Sequence, residues 1–260
     1  MDLNTHTAGR TALVTGAARG IGREIAAGLS ALGMTVLLGV RDLERGAEAA
    51  GKLRAEAEAA GPGPEPGELH VLRLDVTDED SVLEAAADVE RRFGRLDVLV
   101  NNAGVAGDVP SQLPGTADLA TVREVFETNV FGALLVIEAM LPVLRRAPSA
   151  RIVNMSSSVG SLGLMSDQGH YFAQLPALLA YAPSKTALNQ LTVQYAKQLR
   201  PEGILVNAAD PGACATDFTA SVRGLTRTAA DGAVIAIRLA TLDDAGPTGG
   251  FFADADRVPW

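Results

Sequence analysis

The sequence predicts an α/β fold, a doubly wound parallel sheet with helices on both faces. Two observations carry this reading. Short β-rich runs alternate with longer amphipathic ones along the chain, the order that βαβ units produce. A glycine-rich turn also separates the first such run from the first helical stretch, where open parallel sheets place a ligand.

Taken in order, Thr11–Thr15 ("TALVT") reads as a buried strand and Ile21–Leu32 as the first helix. Thr35–Val40 ("TVLLGV") is the second strand, and Leu43–Ala60 follows as a helix with an Ala/Glu-rich solvated face. "GPGPEPG" (Gly61–Gly67) ends that helix as a surface connection. It marks no domain boundary, because the alternation resumes at once with a strand at His70–Leu74 and a helix at Ser81–Phe93. Val98–Asn101 is the fourth strand, and Gly104–Asp118 a loop beside the expected cleft. The helix Thr121–Arg145 and the strand Arg151–Met155 come next. Residues 158–178 form a long irregular segment before a helix that starts near Tyr181, and Ile204–Ala208 is a further strand. Loops of that length in compact domains are more often functional than idle. No internal repeat interrupts the pattern, so one domain is expected over residues 1–260.

Composition narrows the function classes. Hydrophobic residues make up 47% of the chain and charged ones 20%, enough for a large core with a solvated surface. A net charge of -9 argues against a nucleic-acid partner, which calls for clustered Lys and Arg. No apolar run approaches the ~20 residues of a membrane span, and the N-terminus carries no secretory pattern. The single cysteine, Cys214, excludes an intrachain disulfide and fits a reducing, cytoplasmic setting. No metal site is expected.

"TGAARGIG" (Thr15–Gly22) joins strand to helix. Gly16 permits the sharp turn, while Gly20, Ile21 and Gly22 open a helix whose N-terminal amides favour a pyrophosphate. NAD binders usually end the second strand on a carboxylate that holds the adenosine ribose. Here that position is Val40, followed by Arg41, which suits a 2′-phosphate. Arg19 could reach the same phosphate, and Asp42 is better placed to cap the next helix. NADP(H) is therefore the expected cofactor. Asp75 and Val76 ("LDV") end the third strand near the expected adenine. Asn102, Ala103 and Gly104 ("NNAG") end the fourth with residues that allow close approach to the cofactor.

"YAPSK" (Tyr181–Lys185) sets a phenol and an ammonium four residues apart on one helix face. Pro183 suits the first helical turn. A tyrosine needs its pKa brought towards working pH for acid–base chemistry, and a neighbouring ammonium does this. Alone the spacing is common by chance. With "TGAARGIG", "NNAG", "TNVFG" (Thr128–Gly132), "RIVNMSSS" (Arg151–Ser158) and "VNAADPGACATD" (Val206–Asp217), the order resembles the short-chain dehydrogenase/reductase family from about Thr11 to the C-terminus. The resemblance implies a Rossmann-type fold with Tyr181 as general acid/base and Lys185 lowering its pKa and holding the nicotinamide ribose. Ser157 would bind the substrate oxygen, and Asn129 would keep a relay water linked to Lys185. Pro211 and Gly212 would shape the nicotinamide site, with Thr216 on the carboxamide or the cofactor phosphates. Strand alternation leaves Ser156 or Ser158 open in place of Ser157. Cys214 reads as a packed residue and His170 as a surface one.

Ser157 and Tyr181 are 24 residues apart, where most family members have roughly a dozen. With "VRD" ending the second strand and a short segment after the "PG" motif, this is similar to the carbonyl-reductase branch. That likeness implies NADPH-dependent reduction of a ketone or aldehyde, and a monomer or dimer rather than a tetramer. Leu162, Leu164, Met165, Tyr171, Phe172 and Leu175 in the insertion would form a substrate wall or pack internally. An NAD-dependent alcohol, sugar or steroid dehydrogenase is the alternative enzyme, which Val40 and Arg41 disfavour. A non-catalytic dinucleotide sensor is the alternative outside enzymes, and the presence of both Tyr181 and Lys185 argues against it.

Overall fold

The computed structural model describes residues 7–61, 64–220, 222–254 and 256–260; Pro62 and Gly63 of the proline-rich connection lie outside them. β1 (Thr11–Thr15) is buried along its whole length and pairs in parallel with β2 (Thr35–Val40). β3 (Leu69–Arg73) adds to the outer side of β2, and β4 (Val98–Asn101) pairs on the other side of β1. β5 (Arg151–Met155), β6 (Leu205–Asp210) and β7 (Phe251–Ala253) extend the parallel sheet, and β8 (Asp256–Arg257) closes it antiparallel. The order β3-β2-β1-β4-β5-β6-β7-β8 reverses direction between β1 and β4. A crevice opens at the carboxyl ends of the strands there.

Eight helices are described: α1 (Gly20–Ala31), α2 (Leu43–Ala59), α3 (Glu79–Phe93), α4 (Leu119–Phe126), α5 (Ala133–Leu144), α6 (Leu162–Ser166), α7 (Tyr181–Leu199) and α8 (Ala229–Ala240). Side chains alternate across each strand, so Val14, Val36, Leu38 and Val100 face α1, α2 and α8. Leu13, Leu37, Leu99 and Ile152 face α3, α5 and α7 on the other side. Both faces are thereby covered, as a parallel sheet requires.

A π-helical stretch, Glu127–Gly132, joins α4 to α5 without a break. By length and composition the joined helix Leu119–Leu144 is apolar enough to cross a membrane, with 56% of its most apolar window buried in the fold. This qualifies the sequence expectation that no apolar run approaches the length of a span. Val136, Ile137, Met140 and Leu144 are wholly buried on the sheet, as in a core helix.

α8, β7 and β8 are elements the sequence reading did not assign. α8 had a legible start: Thr228 and Asp231 form a reciprocal capping box. The three residues of β7 are too few for a periodic signal, and pairing with β6 defines them.

The insertion is not wholly irregular. Its first turn, Ser158–Gly160, packs on α7, where Thr186 Oγ1 and Asn189 Nδ2 both donate to Gly160 O. α6 then leans on the C-terminus: Gly163 N donates to Trp260 O at 2.9 Å, and Leu164 packs on the small cluster of Phe251, Val258 and Trp260. A second short turn, Tyr171–Gln174, buries Phe172 while Tyr171 stays exposed. The first turn of the segment thus lies against α7, and its middle runs to the β7–β8 edge of the sheet.

Candidate active site

α7 brings Tyr181, Ser184 and Lys185 to one face at helical spacing, opposite the end of β5. Lys185 is 5% exposed, and its Nζ donates to Met155 O at 2.8 Å. The ammonium lies 5.6 Å from the centre of the Tyr181 ring. Burial lowers the Lys185 pKa to about 8, against the opposing pull of Asp210. Burial pushes the Tyr181 phenol well above its ordinary value, a hydrogen bond from Ser157 opposes this, and Asp210 adds to it.

The three consecutive serines have three different partners. Ser156 Oγ is buried against Asn189 Oδ1, and Ser158 donates to Asp210 through both its amide and its hydroxyl. Ser157, in extended backbone at the strand end, is the serine at the Tyr181 hydroxyl. Asn129 sits in the π-helical stretch and is 1% exposed. Its Nδ2 donates to Val105 O and Ser184 Oγ, and its Oδ1 accepts from Val105 N at 2.8 Å. Both amide protons are taken, so a water can only use the remaining lone pair of Oδ1 or the main chain. Gly104 lies between Asn129 and Lys185: a Cβ there would be 3.2 Å from Asn129 Oδ1 and 3.6 Å from Lys185 Nζ.

The glycine turn is braced from β4. Asn102 Nδ2 donates to Thr15 O and Gly16 O, and Thr15 Oγ1 accepts from the amides of Asn102 and Ala103. Asn102 thus spends its side chain on the turn. Gly16 has φ +66°, and a Cβ on Gly22 would stand 2.4 Å from Asn102 Nδ2, so neither position accepts a side chain. α1 starts after Arg19 with no side-chain cap and no acidic residue in its first turn. Its N-terminal amides remain available, with Ile21 partly buried behind them.

Arg41 is exposed at the end of β2, and Asp42 caps α2 by accepting from Glu44 N and Arg45 N. Arg19 pairs with Asp217 at 2.9 Å; with side chains 71% and 75% exposed, the pair is weak and Arg19 is free to exchange partners. One oxygen of Asp75 accepts from Thr77 N and Oγ1, while Val76 is buried beside Gly132. Thr216 caps a short turn over the glycine loop, its methyl 3.9 Å from where a Cβ on Gly20 would lie. Pro211 O accepts from Arg227 Nε, and Gly212 N donates to Asp210 Oδ1 at 2.8 Å.

Two residues beyond the sequence-based set stand at this site. Asp210 is 7% exposed and holds both Ser158 and Gly212. A carboxylate before Pro-Gly at a strand end was a legible signal. Phe218 lies 5.7 Å from Tyr181, ring centre to ring centre, on a turn whose course the sequence does not reveal.

Comparisons with known proteins bear on the family and the fold. The family model for short chain dehydrogenases matches residues 10–225. The chain is 35% identical to the short-chain dehydrogenase anuI of Penicillium roqueforti, over 88% of this chain and 87% of that protein. It is 32% identical to salutaridine reductase of Papaver bracteatum, over 98% and 97%. Among solved structures, the NADP complex of RhlG from Pseudomonas aeruginosa superposes with a TM-score of 0.78 at 32% identity, covering 95% of this chain and 94% of that one. The chain belongs to the short-chain dehydrogenase/reductase family.

Proposed function

We propose that this protein reduces a ketone or aldehyde to the alcohol with NADPH, using Ser157, Tyr181, Lys185 and Asn129. Buried Lys185 beside the Tyr181 ring, tied to the end of the strand that leads to Ser157, carries the reading. A nicotinamide dinucleotide fits the residues present: Asn102 and Thr15 hold the glycine turn in place, and the start of α1, with no side-chain cap, offers its amides to a pyrophosphate. Arg41, with no ion-pair partner among the described residues, favours the 2′-phosphate, as does the NADP bound to RhlG. When bound, the reduced cofactor supplies the hydride to the carbonyl carbon.

The chain's own residues do the rest. Ser157 and Tyr181 together hold the carbonyl oxygen. A phenol kept protonated by burial is in the correct state to donate as charge grows on that oxygen, because an alkoxide is far more basic than a phenolate. Lys185, whose pKa lies near neutrality, stabilises the phenolate left behind and passes a proton back. Val109, Tyr171, Leu175, Leu179, Phe218 and Val222 are exposed apolar residues on the loops that border the cleft, which supports an apolar substrate.

Tyr181→Phe tests this reading. It should cut turnover by roughly 10²–10⁴-fold, the usual contribution of a general acid, while NADPH affinity holds. Substantial activity in the variant at saturating NADPH would sink the mechanism.

A further inference from the structure

Gln112 lies in the loop after β4 and is wholly buried, and it ties together three segments. Its Nε2 donates to Ala106 O at 3.0 Å and Asp108 O at 3.1 Å within its own loop. Its main-chain oxygen accepts from Leu179 N at 2.9 Å, in the tail of the insertion. Its Oε1 accepts from Tyr181 N at 2.8 Å, the first amide of α7.

That last bond fills the place of a capping side chain. α2, α3, α4 and α8 are capped by Asp42, Asp78, Asp118 and Thr228 at their own N-termini. α7 follows Ala180, which has no side-chain acceptor, so the cap comes from a residue 69 positions away. The carboxamide is also walled in: a Cβ on Gly107 would stand 2.9 Å from Nε2. Both Nε2 protons are used, and the rotamer is fixed.

We propose that Gln112 is a positioning residue that fixes the first turn of α7, and with it the Tyr181 phenol, to the loop bordering the cleft. The inference rests on the proton-donor role given to Tyr181 above. The substrate loop and the proton donor are then one rigid unit, so a change in the loop is felt at the phenol.

Two variants separate the parts of this claim. Gln112→Leu removes every side-chain bond, whereas buried Gln112→Glu takes up a proton between the two carbonyls, keeping an acceptor for Tyr181 N and one of the two donations to the loop. Gln112→Leu should lower kcat by about 10- to 100-fold, the scale of a 1 Å misplacement at a reacting group, with NADPH affinity unchanged. Gln112→Glu should recover most of the kcat while its KM for the carbonyl substrate rises. Amide hydrogen exchange in the peptide spanning residues 179–186 should quicken in the leucine variant and much less in the glutamate variant. Wild-type kcat or unchanged exchange in Gln112→Leu would overturn the proposal, and so would an equal kcat loss in both variants. Loss of cooperative melting in both would make Gln112 a packing residue and overturn it as well. If the wild type reduces no carbonyl with NADPH, the proposed activity fails, while the exchange data still decide whether Gln112 holds the helix start.

Discussion

Ser157 stands close enough to the Tyr181 hydroxyl to hold down its pKa, while Ser156 and Ser158 on either side are bound to Asn189 and Asp210. Backbone direction at the end of β5 therefore singles out one of three chemically identical residues. Ser157→Ala should lower kcat/KM by on the order of 10²-fold, the scale of losing one donor to a developing oxyanion, without lowering Tm. Ser156→Ala should mainly cost stability, because it leaves a buried Asn189 oxygen short of a donor. The reverse pattern in parallel assays and melts would reassign the serine.

Cofactor choice should follow Arg41. Arg41→Ala should weaken NADPH binding by roughly 1.5–3 kcal/mol, the range for hydrogen bonds to charged groups, and leave NADH binding nearly unchanged. Equal losses for both cofactors in a titration would show a structural arginine. Val40→Asp, which the sequence suggests as a partner change, is a poor test: Val40 is 3% exposed and packed on Gly46, so an aspartate there would be desolvated.

Much of this was legible because the chemistry sits at strand ends. The glycine turn, "NNAG", the serine strand and "YAPSK" each fall after a strand or open a helix, and β1, β2, β4 and β5 keep the predicted bounds. What sequence could not give is side-chain commitment. Asn102 and Asn129 are read as cofactor and relay residues, yet their amides brace Thr15 and Val105. Gln112 was invisible for the same reason, since it joins main-chain atoms of its own loop to Leu179 and Tyr181, far along the chain. The insertion escaped because its partners lie elsewhere in the chain, Thr186 and Asn189 for its first turn and Trp260 for α6.

Lys185 should hold a stability cost as well as a function. Its folded pKa is about 8 against 10.5 unfolded, a difference on the order of 3 kcal/mol at about 1.4 kcal/mol per unit. The unfolded chain binds the extra proton between those values, so the wild type gains stability as pH rises from about 8 towards 10.5. Lys185→Met removes the buried charge but also the bond to Met155 O, which offsets about 1 kcal/mol. The inactive variant should therefore melt above the wild type at neutral pH, with the gap closing as pH rises. A lower Tm at pH 7, or a gap that widens with pH, would contradict this.

Asp210 should set the pH range of reduction. Its charge raises the pKa of both Tyr181 and Lys185, and Tyr171, Cys214, Arg227 and Asp231 are the other titratable groups around this end of β6. Asp210→Asn keeps an acceptor for Gly212 N and removes the charge, at the loss of the acceptor for Ser158 N. Tyr181 and Lys185 then lose their protons at lower pH, so the alkaline limb of the kcat/KM profile should move down. A limb that stays in place, measured over the range where the variant is folded, would leave Asp210 only its hydrogen-bonding role.

The insertion should divide into a packing half and a substrate half. Phe172 is 6% exposed and stacked edge-on against Tyr171 and His170, so Phe172→Ala should cost about 3 kcal/mol of stability. Of the two roles left open for the apolar residues of the insertion, burial favours internal packing for Phe172. Tyr171 instead presents an exposed ring close enough to Asp210 to feel its charge, and Phe218 presents its ring to Tyr181 from the opposite loop. Tyr171→Ala and Phe218→Ala should shift relative kcat/KM among bulky ketones by about 1–3 kcal/mol, the scale on which an apolar pocket discriminates between substrates. Their Tm should change little, and NADPH affinity should stay at the wild-type value. If Tyr171→Ala and Phe218→Ala leave the substrate ranking intact while Phe172→Ala reorders it at unchanged Tm, the two halves have been assigned the wrong way round.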